Sequence, residues 1–164
     1  MIADDDTILS VSKMLDLLTC YNGDGDGDDQ LIAIGQRYGF RVAYGTYGYD
    51  YPTGGSGMIF NRKMVEKMMN LSSSHCRCYK PDQPDDMHLG ACLTNLGQVL
   101  IHSERMHQAR PDDYHPKLLE HQDPVSFHKF WNTDPRKVYD RWFRSADEDL
   151  RQFKFNSLHP HQEL

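Results

Sequence analysis

The chain has 164 residues, 24 acidic against 18 basic, for a formal charge of −6, with 38% hydrophobic and 26% charged residues. That length fits one domain of about 100–200 residues, and the apolar share can build a core that a disordered composition could not. The acidic balance speaks against a nucleic-acid or anionic-membrane surface, and no window approaches the roughly 20 apolar residues that span a bilayer.

Ile2-Ala3 running into Asp4-Asp5-Asp6 reads as the tail of a buried strand. No basic and apolar leader of the signal-peptide kind precedes the aspartates. Ile8, Val11, Leu15 and Leu18 recur at three- and four-residue steps, which predicts a helix from Thr7 capped by Asp6 or Thr7. Residues 22–30 form an acidic, glycine-rich loop. Its Asn22, Asp24 and Asp26 match EF-hand positions, but Ala33 stands where the bidentate glutamate belongs, so a solvated loop is the expected reading.

Residues 31–34 read as a strand, and the alternation of aromatic residues and glycine over 38–52 predicts a hairpin whose tyrosines serve either as ribbon edges or as stacking faces for a sugar. The loop Thr53-Gly54-Gly55-Ser56-Gly57 lets backbone come close to a ligand but lacks the spacing of a phosphate-binding motif. Met58-Ile59-Phe60 is a second buried run, and Asn61 caps a helix to Met69. Pro84-Asp85-Asp86 opens another helix, carrying Met87, Cys92, Leu93 and Leu96 and stopped by Gly97, ahead of a strand over 98–101. Residues 102–128 read as irregular and histidine-rich. Asp134-Pro135 starts a last helix with Val138, Tyr139, Trp142 and Phe143 inward, and a polar tail follows over 144–164. Strands alternating with helices make the fold class α/β.

Three features carry chemistry. Asp4, Asp5 and Asp6, at a strand-to-helix turn, are hard oxygen ligands suited to Mg²⁺ or Mn²⁺ held against a diphosphate, or else a helix cap with acidic company. Asp85 and Asp86 at a helix N-terminus offer a carboxylate able to accept a proton, or again a capping pair. His128, flanked by bulky apolar residues, can join carboxylates around a divalent ion, but eight other histidines leave spacing unable to select it. Cys76-Arg77-Cys78 is too tight for a zinc ribbon, and the pairing of Cys20, Cys76, Cys78 and Cys92 stays open. The last four residues, His161-Gln162-Glu163-Leu164, resemble an endoplasmic-reticulum retrieval tetrapeptide.

The order Ala3-Asp4-Asp5-Asp6-Thr7, Gly54-Gly55-Ser56-Gly57-Met58, Cys76-Arg77-Cys78-Tyr79, Pro84-Asp85-Asp86-Met87 and Ser126-Phe127-His128-Lys129 resembles the fringe-related β-1,3-glycosyltransferases. Within them it is most similar to the branch that glucosylates protein-linked fucose. The resemblance runs the length of the chain. It implies the C-terminal portion of a GT-A fold over 1–143, without the family's preceding nucleotide-binding βα units. It also implies an inverting, Mn²⁺-dependent transfer of glucose from UDP-glucose to O-fucose on thrombospondin type 1 repeats in the endoplasmic reticulum lumen. Any membrane anchor or signal peptide would lie upstream of Met1. By position, Asp6 and His128 match metal ligands, and Asp86 the catalytic base. Asp4 and Asp5 would lie toward the nucleotide, Asp85 beside the base, and Gly54, Gly55 and Gly57 under the sugar. The alternatives are fringe-like transfer of N-acetylglucosamine or galactose, a non-catalytic binding fragment, and a metal-dependent hydrolase.

Overall fold

The computed structural model describes residues 1–22, 30–42, 48–70, 76 and 82–158. The acidic loop with Asp24, Asp26 and Asp28, the residues Tyr44, Tyr47, Cys78 and Tyr79, and the terminal tetrapeptide lie outside the described residues.

Strand β1 (Thr7–Leu9) leads into helix α1 (Val11–Asn22), which is followed by β2 (Ala33–Gly35) and the hairpin β3 (Arg37–Phe40) and β4 (Tyr49–Pro52). Then come β5 (Met58–Phe60), α2 (Arg62–Met69), α3 (Asp85–Asn95) and β6 (Ile101–His102). A 3₁₀ turn at Pro111–Asp113, α4 (Pro116–Gln122), β7 (Ser126–His128), α5 (Pro135–Trp142) and α6 (Arg144–Leu158) complete the order.

β2 is the middle of a three-stranded sheet, antiparallel to β5 and parallel to β6. Its side chains alternate between two cores, as a strand's period of two requires. Ile32 and Ile34 pack with Leu17 of α1, Ile59, Met106 and Val125 on one face. Ala33 packs with Met64 of α2, Leu93 of α3 and Leu100 on the other. A third cluster, Leu119, Phe127, Val138 and Phe143, lies under β7. The mixture of strands sandwiched by helices agrees with the α/β class.

The helix expected from Thr7 begins later. Thr7–Leu9 is extended and pairs antiparallel with β7, and the cap is Ser10, whose Oγ accepts from the Lys13 amide at 3.1 Å. The period selects the stripe only in part: Leu18 packs against the core as expected, but Val11 and Leu15 are exposed, and the buried residue is Leu17, with Met14 and Tyr21 also against it. Ile2 bridges Met58 through its backbone, yet its side chain is 57% exposed, because none of the three cores reaches it. Segment 102–128, expected to be irregular, contains α4 and β7.

Past Phe143, the segment read as a polar tail forms α6 as far as Leu158. Its anchor is polar: the buried Asp147 carboxylate accepts from Ser10 Oγ at 2.7 Å, the Ser12 amide at 2.9 Å and Tyr139 Oη at 2.8 Å. Burial opposes ionisation there, but the three donors outweigh it and hold this carboxyl below the ordinary aspartate range. Cys76 and Cys92 form a disulfide that ties the segment before α3 to its middle, and Cys20 is a free, exposed thiol. Among the described residues no helix is long and apolar enough to cross a membrane.

Candidate active site

The acidic turn is fixed by backbone before its side chains matter. The Thr7 amide closes the turn onto the Asp4 carbonyl at 3.2 Å, and the Asp4 amide donates to the Gly54 carbonyl at 3.3 Å. Thr7 Oγ1 donates to the Gly55 carbonyl at 2.9 Å. Two segments some fifty positions apart in sequence are thereby held edge to edge.

Strand register then selects one histidine. Pairing of β1 with β7 sets Thr7 opposite His128, which brings the imidazole beside the acidic turn. His128 Nε2 lies 2.7 Å from Asp6 Oδ1 and 3.4 Å from Asp4 Oδ2, with its ring buried and both carboxylates about half exposed. Its Nδ1 lies 3.0 Å from the Gln108 carbonyl. A carbonyl only accepts, so Nδ1 carries a proton and Nε2 is the nitrogen presented to the aspartates. Other histidines are engaged elsewhere. His102 Nδ1 accepts from the Arg37 amide, and His107 is buried between Tyr114 and Phe127, where burial pushes it down to about 4 and keeps it neutral.

The glycine loop forms the floor. A Cβ on Gly55 would overlap the His128 ring, so glycine there lets the histidine settle this close, and a Cβ on Gly54 would stand 2.7 Å from Asp4 Oδ1 and push that carboxylate aside. Ser56 holds the loop from beneath: its amide donates to Gln108 Oε1 at 3.0 Å, and its hydroxyl bonds Thr53. Gln108 in turn donates its amide to Gln36 Oε1 at 2.6 Å. Gln108 therefore fixes both the loop and the His128 tautomer, a role that a backbone carbonyl gives no sign of in sequence.

The second acidic pair arrives on α3. Asp86 Oδ2 accepts from the Gly54 amide at 3.2 Å, and its Oδ1 accepts from the Met87 amide at 2.7 Å. The peptide groups flanking Gly54 thus bind Asp86 through the amide and the Asp4 backbone through the carbonyl. Burial raises the Asp4 carboxyl above its ordinary range; His128 pulls it down, and Asp6, Asp85 and Asp86 push it up. The two acidic motifs share one electrostatic field.

Each sequence-derived candidate has a place. Asp4, Asp6 and His128 converge, with one ligand atom from each all within 4.8 Å of one another. Two carboxylates and an imidazole Nε2 fixed by a hydrogen bond at its other nitrogen suit a divalent ion of the Mn²⁺ or Mg²⁺ type. Gly54 and Gly55 lie beneath them. Asp85 is exposed and accepts from the Asp86 amide at 2.8 Å. Asp5 is exposed and stands outside the converging group. Gly57 has φ +82° and turns its open side toward Met1 and Ala3, away from the carboxylates.

Comparison with known proteins converges on one family. The profile described as Fringe, Fringe-like, matches residues 1–162. Over 149 residues the chain is 48% identical to a human beta-1,3-glucosyltransferase (Homo sapiens) and equally to a mouse beta-1,3-glucosyltransferase (Mus musculus). These matches cover 91% of this chain and 28% of each relative.

Proposed function

The chain belongs to the Fringe-like family, and from that premise we propose that it is the catalytic C-terminal portion of an inverting β-1,3-glucosyltransferase with a GT-A fold. In this reading it transfers glucose from UDP-glucose to the 3-hydroxyl of fucose O-linked to thrombospondin type 1 repeats. The carrying observation is the convergence on Gly54: its carbonyl binds the acidic turn that faces His128, and its amide binds Asp86.

Asp6 and His128 Nε2 would hold a divalent cation such as Mn²⁺, with Asp4 beside them toward the nucleotide. When bound, that cation neutralises the diphosphate as UDP departs. The Gln108 carbonyl keeps the His128 nitrogen turned to the aspartates. Asp86, at the positive end of α3, takes the proton from the fucose 3-hydroxyl while that oxygen attacks the anomeric carbon. Attack from the face opposite the leaving group forms one C–O bond as the bond to UDP breaks, which inverts the centre and needs no covalent nucleophile. Asp85 stands beside the base, and Gly54 and Gly55 let Asp4 and His128 close over the loop that would floor the sugar pocket. A lumenal location is supported by the disulfide between Cys76 and Cys92, which persists in an oxidising compartment.

The test is glucose transfer from UDP-glucose to an O-fucosylated thrombospondin repeat with Mn²⁺ and after chelation. Transfer that requires both acceptor and metal is expected. Equal UDP-glucose turnover without the acceptor would point to a hydrolase, and transfer of another sugar in preference to glucose would reassign the donor.

A further inference from the structure

The β3–β4 hairpin has a feature that the transfer chemistry above does not use. Tyr38 pairs with Tyr51 and Phe40 with Tyr49 across the ribbon, so four aromatic rings stand on one face. Tyr38 and Tyr51 meet edge to face, their centroids 6.2 Å apart at 74°, and Phe40 and Tyr49 lie 5.4 Å apart. An edge-to-face pair leaves the faces of one ring uncovered by its partner. Tyr38 remains 44% exposed, and Tyr49 and Tyr51 are half-buried.

This face adjoins the proposed base. Gly90 of α3 lies so close to β4 that a Cβ there would overlap Tyr51 Cβ and stand 2.6 Å from the Asp50 carbonyl. Asp86 precedes Gly90 by four residues, so it shares that helix face, one turn toward the N-terminus. Gln83 Nε2 donates to Tyr49 Oη at 2.9 Å and ties the approach to α3 onto the ribbon. Burial raises both the Tyr49 and the Tyr51 hydroxyls above the ordinary tyrosine range, and the Asp86 carboxylate adds to the effect.

We propose that Tyr38, Tyr49 and Tyr51 form a pyranose-stacking platform that holds the acceptor sugar over Asp86 and sets acceptor specificity. This rests on the transferase reading given above. A pyranose has an apolar C–H face that packs on aromatic rings, and a 6-deoxy sugar adds a methyl group in place of a hydroxymethyl. The Tyr38 and Tyr51 hydroxyls would supply hydrogen bonds to the sugar hydroxyls, and Tyr49 Oη keeps a proton to donate beside its bond from Gln83.

The experiment is saturation-transfer NMR on the full chain with methyl α-L-fucopyranoside as probe, alongside a UDP titration in Mn²⁺. Wild type is expected to bind the fucoside, with Kd raised about 3- to 10-fold in Tyr38→Ala and Tyr51→Ala, the range that one aromatic contact provides. Tyr51→Phe, which keeps the ring, is expected to restore most of the affinity. Tyr51 packs against α3, so the half-exposed Tyr38 is the variant least able to act through misfolding. A chain that binds UDP but no fucoside, or binds it equally well in both alanine variants, would overturn the platform alone. A chain that binds neither would overturn the platform, and failure of a chain extended to the length of its relatives to bind UDP in Mn²⁺ would overturn the transferase reading with it.

Discussion

Asp147 and Asp4 make opposite use of the same side chain. Asp147 is buried at the junction of α6 and α1, and three donors saturate its carboxylate, which lies below the ordinary range. Asp4 is half-exposed at the mouth of the glycine loop, facing Asp6, Asp85 and Asp86 with the His128 ring beside it; burial first and then the neighbouring carboxylates hold its carboxyl above the ordinary range. The first arrangement is complete and holds α1, α5 and α6 together. The second gathers negative charge with too few donors to balance it, which is how a protein prepares a place for a cation or a proton.

The largest effect that should separate the two regions is on catalysis. Asp86→Asn is expected to reduce glucose transfer about 10²- to 10⁴-fold, as loss of a general base does, while UDP binding in Mn²⁺ persists. Asp147→Asn should leave the transfer rate within a few-fold at temperatures where it is folded. Comparable losses in both variants would erase the distinction.

The next effects are on stability. Asp147→Ala leaves three donors without their acceptor and should cost about 2–3 kcal/mol, a fall of roughly 4–12 °C in Tm. Reduction of the Cys76–Cys92 bond, which spans a separation of 16 residues, should cost up to about 3 kcal/mol by calorimetry.

Acid titration sharpens the contrast in sign. The Asp147 carboxyl is lower in the folded chain than in the unfolded one. Its stabilisation is therefore fully present above about pH 4 and is lost as pH falls through the folded value. Unfolding free energies from urea melts between about pH 2 and 6 should show that acid limb in wild type and a shallower one in Asp147→Asn. Asp4 has the opposite shift, so its charge costs stability above its raised folded value. Asp4→Asn should raise the metal-free Tm by about 1 °C, small because solvent screens a half-exposed group.

The parts of this molecule legible in sequence are those marked by local chemistry. Asn61 at the start of α2, Pro84 and Gly97 bounding α3, and Asp134 before α5 each act within one turn of the chain, and each element stands where its punctuation puts it. Apolar period misled at β1, because Ile8 fits a helical stripe in number while its backbone is committed to Phe127 across the sheet. Helix α6 was hidden because its anchor is a charged residue whose donors are distant in sequence.

The site divides the same way. Asp4, Asp6, Asp85 and Asp86 can be read as acids at turns, but their meeting depends on Gly54, and the selection of His128 depends on strand register. Gln108 holds His128 through its backbone carbonyl, which every residue has, and the glycine loop through a side chain whose partner Ser56 is distant in sequence. The closeness of Gly90 to Tyr51 likewise exists only after α3 has packed on β4.

Thermal unfolding with and without Mn²⁺ separates the proposed cation site at Asp6 and His128, with Asp4 beside it, from the structural carboxylate of Asp147. At Mn²⁺ near 100 times Kd, wild type and Asp147→Asn should each gain about 2.7 kcal/mol, roughly 5–10 °C in Tm, and Asp6→Asn and His128→Ala should gain little. An equal gain in Asp6→Asn and wild type would mean that Mn²⁺ binds elsewhere.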